Sequence, residues 1–440
     1  MVGDALRGVP LVASRLERDK VVFVPSQPAP TSVLDRFLRY VVIDTQSDEN
    51  SRSYPSTSKQ FDLLRLLVKE LETIGLKDVS IDEHGYVFGT IPATSPKADI
   101  PVIGFIAHVD TSPEMSGKNV RPIVHRNYQG QDLVLPDDPS TVLRLKEIPA
   151  LAEQMGHDIV TASGTTLLGA DNKSGVAEIM AAAEYLVTHP EIPYGPIRVG
   201  FTPDEEVGAG TKYFDVARFG AKYAYTMDGG LRGELETESF SADAMTFVFH
   251  GHNTHPGYAK DRMVNAIKVA ADFISRLPKG KLSPETTEDY EGYVHPYVVN
   301  SSVEATTVKL LIRDFEASGL HAKESMLEEL AAETVREWPG ASVESKIEES
   351  YRNMKQVFES HPQVVEHARA AIRRSGLEVR ERPIRGGTDG CRLSFMGLPT
   401  PNIFAGEQNF HSRLEWVSVQ DMEKAVEVIV NLARIWAEST

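Results

Sequence analysis

The chain has little cysteine: one, Cys391, in 440 residues. That excludes an internal disulfide and fits a reducing compartment such as the cytoplasm. It also leaves histidine, aspartate and glutamate as the side chains able to hold a metal. Basic residues are in deficit, with 46 Lys plus Arg against 63 Asp plus Glu and a net charge of −17. Nucleic acids and anionic membranes both want a basic face, so neither is expected as a partner. No apolar run is long enough to span a bilayer. Residues 1–30 mix Arg7, Arg15, Arg18 and Lys20 with Asp4, Glu17 and Asp19, and their short apolar stretch contains Pro10. They make a poor secretory signal or transit peptide and read as an N-terminal extension.

What remains is the composition of an ordinary globular protein, 41% hydrophobic and 25% charged, of a length that suits two or three domains. Leu34, Phe37, Leu38 and Val41 fall at helical spacing. A second helix follows Thr57-Ser58-Lys59-Gln60, which resembles a capping box, and stops at Gly75. Strands are expected at Val79 to Ile81, Tyr86 to Ile91, Pro101 to Ala107, Ile197 to Thr202 and Tyr223 to Met227, with a helix from Lys173 to Thr188. This alternation predicts an α/β catalytic domain on a mixed, largely parallel sheet. From Phe240 the pattern changes to strand Ala244 to His250, helix Asp261 to Leu277, a strand near Tyr293 to Val299, strand Thr306 to Ile312, helix Ala317 to Glu337 and strand Ser342 to Glu348. That is a βαββαβ, ferredoxin-like α+β module of about domain size. After Tyr351 the larger pattern resumes: helix His361 to Ser375, a glycine-rich loop, strand Asn402 to Ala405, and a C-terminal helix capped by Ser418. The expected layout is a catalytic domain, 31–238 and 353–440, interrupted by an inserted lid, 239–352.

Candidate ligands stand where apolar runs end. His108 and Asp110 follow the run to Ala107; Glu205 and Glu206 follow Thr202; Asp228 follows Met227; His411 comes shortly after Ala405. Asp171 opens a helix in Leu168-Gly169-Ala170-Asp171-Asn172. In open α/β sheets ligands gather at the carboxyl ends of strands, so parallel strands would bring these residues together. Alternate residues at a strand end point the same way, which lets Asp110 orient the His108 ring. His108, Asp171, Glu206, Asp228 and His411 are too many ligands for one tetrahedral zinc. They suit two metals bridged by Asp171: His108, Asp171 and Asp228 on one, Asp171, Glu206 and His411 on the other. Glu205 is left over as the general base. Asp204, just before it, reads as a solvated turn residue. The ligand types suit Zn²⁺, with Mn²⁺ or Co²⁺ as alternatives.

The segments Ile103-Gly104-Phe105-Ile106-Ala107-His108-Val109-Asp110, Leu168-Gly169-Ala170-Asp171-Asn172-Lys173, Phe201-Thr202-Pro203-Asp204-Glu205-Glu206 and Ile384-Arg385-Gly386-Gly387-Thr388-Asp389-Gly390 resemble those of the M20 family of di-zinc peptidases. The likeness runs from about Thr31 to the end of the chain and is to members that act on tripeptides. It implies two zinc ions per chain, the two-domain layout above, and removal of the N-terminal residue from a small peptide. It also implies the metal roles given above, with Glu205 as base. It further implies that His255, in the lid, hydrogen-bonds the substrate carbonyl oxygen as the oxyanion forms. Read from the residues alone, His250, His252 and His255 are a weak third metal site or surface histidines. Asn172 stands where many relatives have a second Asp, which leaves Asp171 as the bridge.

Arg313 and Arg385 are candidates to clamp a substrate carboxylate, and Asn300 is a further substrate-binding candidate. For Arg313 the alternative is an ion pair with Asp314 or a neighbour. Cys391 reads as a small buried residue. Other M20-type activities (dipeptidase, carboxypeptidase, N-acyl amino-acid deacylase) are the first alternative to the aminopeptidase. A metal-binding interaction protein without catalysis is the second. M20 lids sometimes dimerise, so a homodimer is also considered.

Overall fold

The computed structural model describes residues 31–439, so the N-terminal extension lies outside the described residues. The main layer is an eight-stranded sheet. Its central strands, Ile197–Thr202, Ile103–His108, Tyr223–Gly229 and Asn402–Phe404, neighbour one another in that order and run parallel. Lys77–Ile81 and Val87–Ile91 extend one side with antiparallel pairing. Glu234–Glu236 and Arg380–Glu381 extend the other, the first antiparallel to Asn402–Phe404 and the second parallel to the first.

A parallel sheet needs both faces covered, and the strand Ile103–His108 is buried at every position. Its Ile103, Phe105 and Ala107 point to a core shared with the helices Val33–Val41, Gln60–Ile74, Ala170–Thr188, Pro362–Arg374 and Val419–Glu438. Ile106 points the other way, towards Phe88, Phe214, Phe219 and Leu393. The period of two that built this strand also fixes where it ends. His108 and Asp110 emerge on one side of the sheet's carboxyl edge, beside Thr202 of the neighbouring strand.

The insert forms its own four-stranded antiparallel sheet, ordered Tyr293–Ser301, Ala305–Asp314, Ser241–His250, Ser342–Tyr351. Met245, Phe247 and Phe249 alternate along Ser241–His250 and pack on the helices Ala266–Arg276 and Ala317–Arg336 through Phe273, Leu320 and Leu327. The α+β insert on a mixed, mostly parallel α/β body is the fold class expected from the sequence.

Local differences have local causes. The capping box expected at Thr57–Gln60 is absent: Thr57 donates its hydroxyl to Gln46 O at 2.7 Å and the helix starts at Gln60 without a side-chain cap. The first insert helix begins at Ala266 rather than Asp261, because Asn265 caps it through Ile267 N at 2.9 Å and Val264 is held in a bridge to His252. In the C-terminal helix Met422, Ile429 and Ala433 are buried, as expected, but Val426 only half so. A further sheet of Glu407–Gln408, Trp416–Ser418, Ile159–Thr161 and Ile123–His125 carried no sequence signal. Strands of two or three residues are too short to show a period. This sheet matters because the loop between its first two strands holds His411.

Candidate metal centre and its supports

At the carboxyl edge of the parallel strands two groups of ligand atoms lie close enough for one cation each: His108, Asp171 and Asp228, and Asp171, Glu206 and His411. Within each group the atoms are all within 4.8 Å of one another. Asp171 belongs to both. Its Oδ1 lies 2.9 Å from His108 Nε2 and its Oδ2 3.2 Å from His411 Nε2. Asp228 Oδ1 is 3.2 Å from His108 Nε2, and Glu206 Oε2 is 2.8 Å from His411 Nε2.

The electrostatics ask for positive charge. Burial opposes ionisation of Asp171, but hydrogen bonds from His108 and His411 outweigh it and hold the carboxyl below its usual range. Against the cost of burial, Asp171 and Glu206 push the His411 imidazole up to about 11. His108 likewise stands well above its ordinary value, Asp228 and Asp110 overcoming its burial. Burial, then Asp171, pushes Glu206 up to about 8. Carboxylates this close need a compensating cation, which protonated imidazoles or metal ions can provide. The buried Glu206 Oε1 has no hydrogen-bond partner, and Asp228 Oδ1 has only the approach of His108. Mixed imidazole and carboxylate donors with oxygens to spare therefore fit a pair of divalent ions.

Glu205 is half-buried, beside Glu206 and outside both ligand groups. Burial holds its carboxyl well above the ordinary value, and Asp228, Asp389 and Glu206 add to the shift while His108 opposes it. Asp110 does more than orient His108, whose Nδ1 lies 3.3 Å from Asp110 Oδ1. Its carboxylate also accepts the backbone N–H of Glu205 at 3.0 Å and of Glu206 at 3.2 Å.

Asp204 corrects the sequence reading. It is 1% exposed rather than solvated, and its carboxylate accepts from Ser56 N at 2.5 Å and Gln60 Nε2 at 2.6 Å. The Ser56–Gln60 segment closes over the turn, and Asp204 holds a left-handed φ of 57°. Nothing in the sequence singles out Glu415, whose carboxylate accepts backbone N–H groups of the Asp171 turn.

The remaining candidates lie outside both ligand groups. His255 is exposed in the lid, its Nδ1 accepting from Gly257 N at 3.1 Å and its ring against Tyr258. Asn300 is exposed on the outer lid strand. Arg313 donates to Ile312 O at 2.9 Å and stacks on Tyr351, while Asp314 pairs with Lys323, so the alternative of an Arg313–Asp314 pair is not formed. Arg385 donates to Asp289 O at 2.7 Å, Glu291 O at 2.8 Å and Thr287 Oγ1 at 2.9 Å. Its two terminal nitrogens thus hold a lid loop. Cys391 is fully buried.

Residues 166–435 match the sequence model of peptidase family M20/M25/M40. The chain belongs to peptidase family M20. Peptidase T of Exiguobacterium sibiricum is 50% identical over 407 residues, covering 92% of this chain and 98% of that one. Among solved M20-like structures, a tripeptidase from Staphylococcus aureus subsp. aureus Mu50 superposes with a TM-score of 0.72 at 21% identity, covering 92% and 98% of the two chains. A dinuclear metal binding peptidase of the M20 family from Bacillus subtilis gives 0.63 at 15%, covering 93% and 98%. The M20 assignment makes the chain a metal-dependent peptidase, and among the described residues no helix is long and apolar enough to cross a membrane.

Proposed function

We propose that this chain is a cytoplasmic tripeptide aminopeptidase that uses two zinc ions. The observation that carries the reading is the pair of ligand groups sharing Asp171, with Glu205 beside them and uncommitted. The half-identical peptidase T and the dinuclear Bacillus subtilis neighbour support it. His108, Asp171 and Asp228 would hold one ion, and Asp171, Glu206 and His411 the other. Bound there, the ions supply Lewis acidity, polarising the scissile carbonyl and acidifying water.

The protein's own groups do the rest. Glu205 takes a proton from the attacking water and delivers it to the leaving amine as the C–N bond breaks. Its raised affinity for a proton suits that shuttle. Asp110 fixes Glu205 and Glu206 relative to His108 through their backbone N–H groups. The insert, 239–352, acts as a lid: it swings about segments near Ser239 and Glu349 and brings His255 to the substrate oxyanion. Arg313 meets the peptide carboxylate on closure, while Asn300 and Arg385 serve the substrate through the lid. The outer lid strand exposes Tyr297 and Val299, which supports a homodimer formed there.

The test is metal analysis with a cleavage assay on free tripeptides, dipeptides and N-acetylated tripeptides. Two zinc ions and release of the N-terminal residue from free tripeptides alone are expected. Cleavage confined to acylated or two-residue substrates would sink the reading in favour of another M20 activity.

A further inference from the structure

Glu415 holds no position in either ligand group, yet it touches the segments that carry two of the ligands. It is 1% exposed. Its Oε2 accepts from Leu168 N at 2.6 Å and Gly169 N at 2.9 Å, and its Oε1 accepts from Asp171 N at 3.0 Å. Gly169 has a φ of 83°, where a side chain is disfavoured, and successive N–H groups of such a turn converge on one anion. The turn is thus wrapped around a carboxylate, and the residue it positions is the ligand common to both groups.

The other end of the contact is as specific. Glu415 ends the loop that carries His411, and its own N–H donates to Ser412 O at 3.3 Å. Ser412 folds the loop on itself, donating its hydroxyl to Asn409 O at 2.6 Å and accepting from Leu414 N at 3.1 Å. Trp416–Ser418 then enters the small sheet and pairs with Ile159–Thr161. One side chain therefore clamps the Asp171 turn to the His411 loop. Placing a carboxylate near Asp171 and Glu407 costs like-charge repulsion, and a glutamine there could not reproduce the contact. Its amide group would present N–H to N–H on one side.

We propose that Glu415 is a positioning residue for the metal pair, locking the shared ligand Asp171 in register with His411 so that the Asp171–Glu206–His411 site attains its affinity. This rests on the two-metal reading above. The decisive variant is Glu415→Gln, which keeps shape and should fold. Metal-free wild type and variant are titrated with Zn²⁺ by calorimetry and competition with a chelator, and each apo-protein's melting temperature is recorded. Two sites are expected in the wild type. In the variant one of them should weaken by about 10–100-fold, the usual effect of losing a hydrogen-bond partner behind a ligand, and added Zn²⁺ should restore turnover. Uptake of fewer than two ions by the wild type would sink the two-metal reading and this inference with it. Two sites in the wild type and unchanged affinities in the variant would sink the inference alone. So would a variant whose only change is a lower apo melting temperature, since that is a structural role.

Discussion

Asp110 accepts the backbone N–H of Glu205 at 3.0 Å, so the carboxylate beside the His108 ring also fixes the chain at the proposed general base. One buried carboxylate therefore ties together two strand ends. Asp110→Asn keeps the volume but replaces one acceptor oxygen by an N–H donor that faces another donor. Turnover should fall by about 10–100-fold, with metal affinity reduced through His108. Steady-state kinetics at saturating metal separate the two effects: a loss that persists there belongs to the Glu205–Glu206 turn.

Glu205→Gln removes the proposed proton carrier and leaves both ligand groups intact. Metal content should stay at the wild-type level while kcat drops by about 10²–10⁴-fold, the usual contribution of a positioned acid–base group. Retained turnover in a fully loaded variant would remove Glu205 from the mechanism.

The parts of the site that were legible in the sequence share one property. His108, Glu206 and Asp228 stand at or just beyond the carboxyl ends of largely apolar strands, and a parallel sheet sends such ends to one edge. The supporting carboxylates were not legible. Asp204 and Glu415 work by satisfying backbone N–H groups far away in sequence, 148 residues for Asp204 with Ser56 and 244 for Glu415 with Asp171. Such contacts leave no period and need no particular neighbour. The lid contacts of Arg385 are illegible for a related reason: the carbonyls it binds belong to a loop distant in sequence. The fold class was readable because strand and helix periods are local, whereas the short strands of the small sheet exist only through their partners.

Asp204→Ala should destabilise the protein without touching a ligand. It strips Ser56 N of its acceptor in a buried turn and leaves Gln60 Nε2 only its longer contacts, 3.4 Å each, to Ser56 Oγ and Thr57 Oγ1. Each such loss costs about 1–3 kcal/mol, and alanine tolerates the left-handed φ of 57° less well than aspartate. Urea denaturation should show a lower midpoint with an unchanged slope. A wild-type midpoint would mean that the Ser56–Gln60 segment finds other partners.

Arg385→Ala should loosen the lid. The guanidinium binds the carbonyls of Asp289 and Glu291 and lies over Phe240 and Tyr293, joining the glycine-rich loop to the insert. Without it the insert should sample wider angles, visible as a larger radius of gyration in solution scattering, with KM raised more than kcat is lowered. If Arg385 instead acts only on substrate, the radius should not change.

Glu178 gives a prediction in pH. Its carboxyl is fully buried in the helix Ala170–Thr188, and neither oxygen has a hydrogen-bond partner. Burial, with Asp421 adding, holds it well above the ordinary glutamate value. The folded state thus keeps a proton that the unfolded chain gives up at about pH 4.3. Stability from this group is complete below that pH and is lost as the pH rises towards the folded-state value. Glu178→Gln cannot titrate and keeps the shape. Its unfolding midpoint should match the wild type near pH 4 and exceed it increasingly towards pH 8, both measured in the same chelator. A constant offset across that range would mean that Glu178 is ionised in the folded protein and paired with a cation.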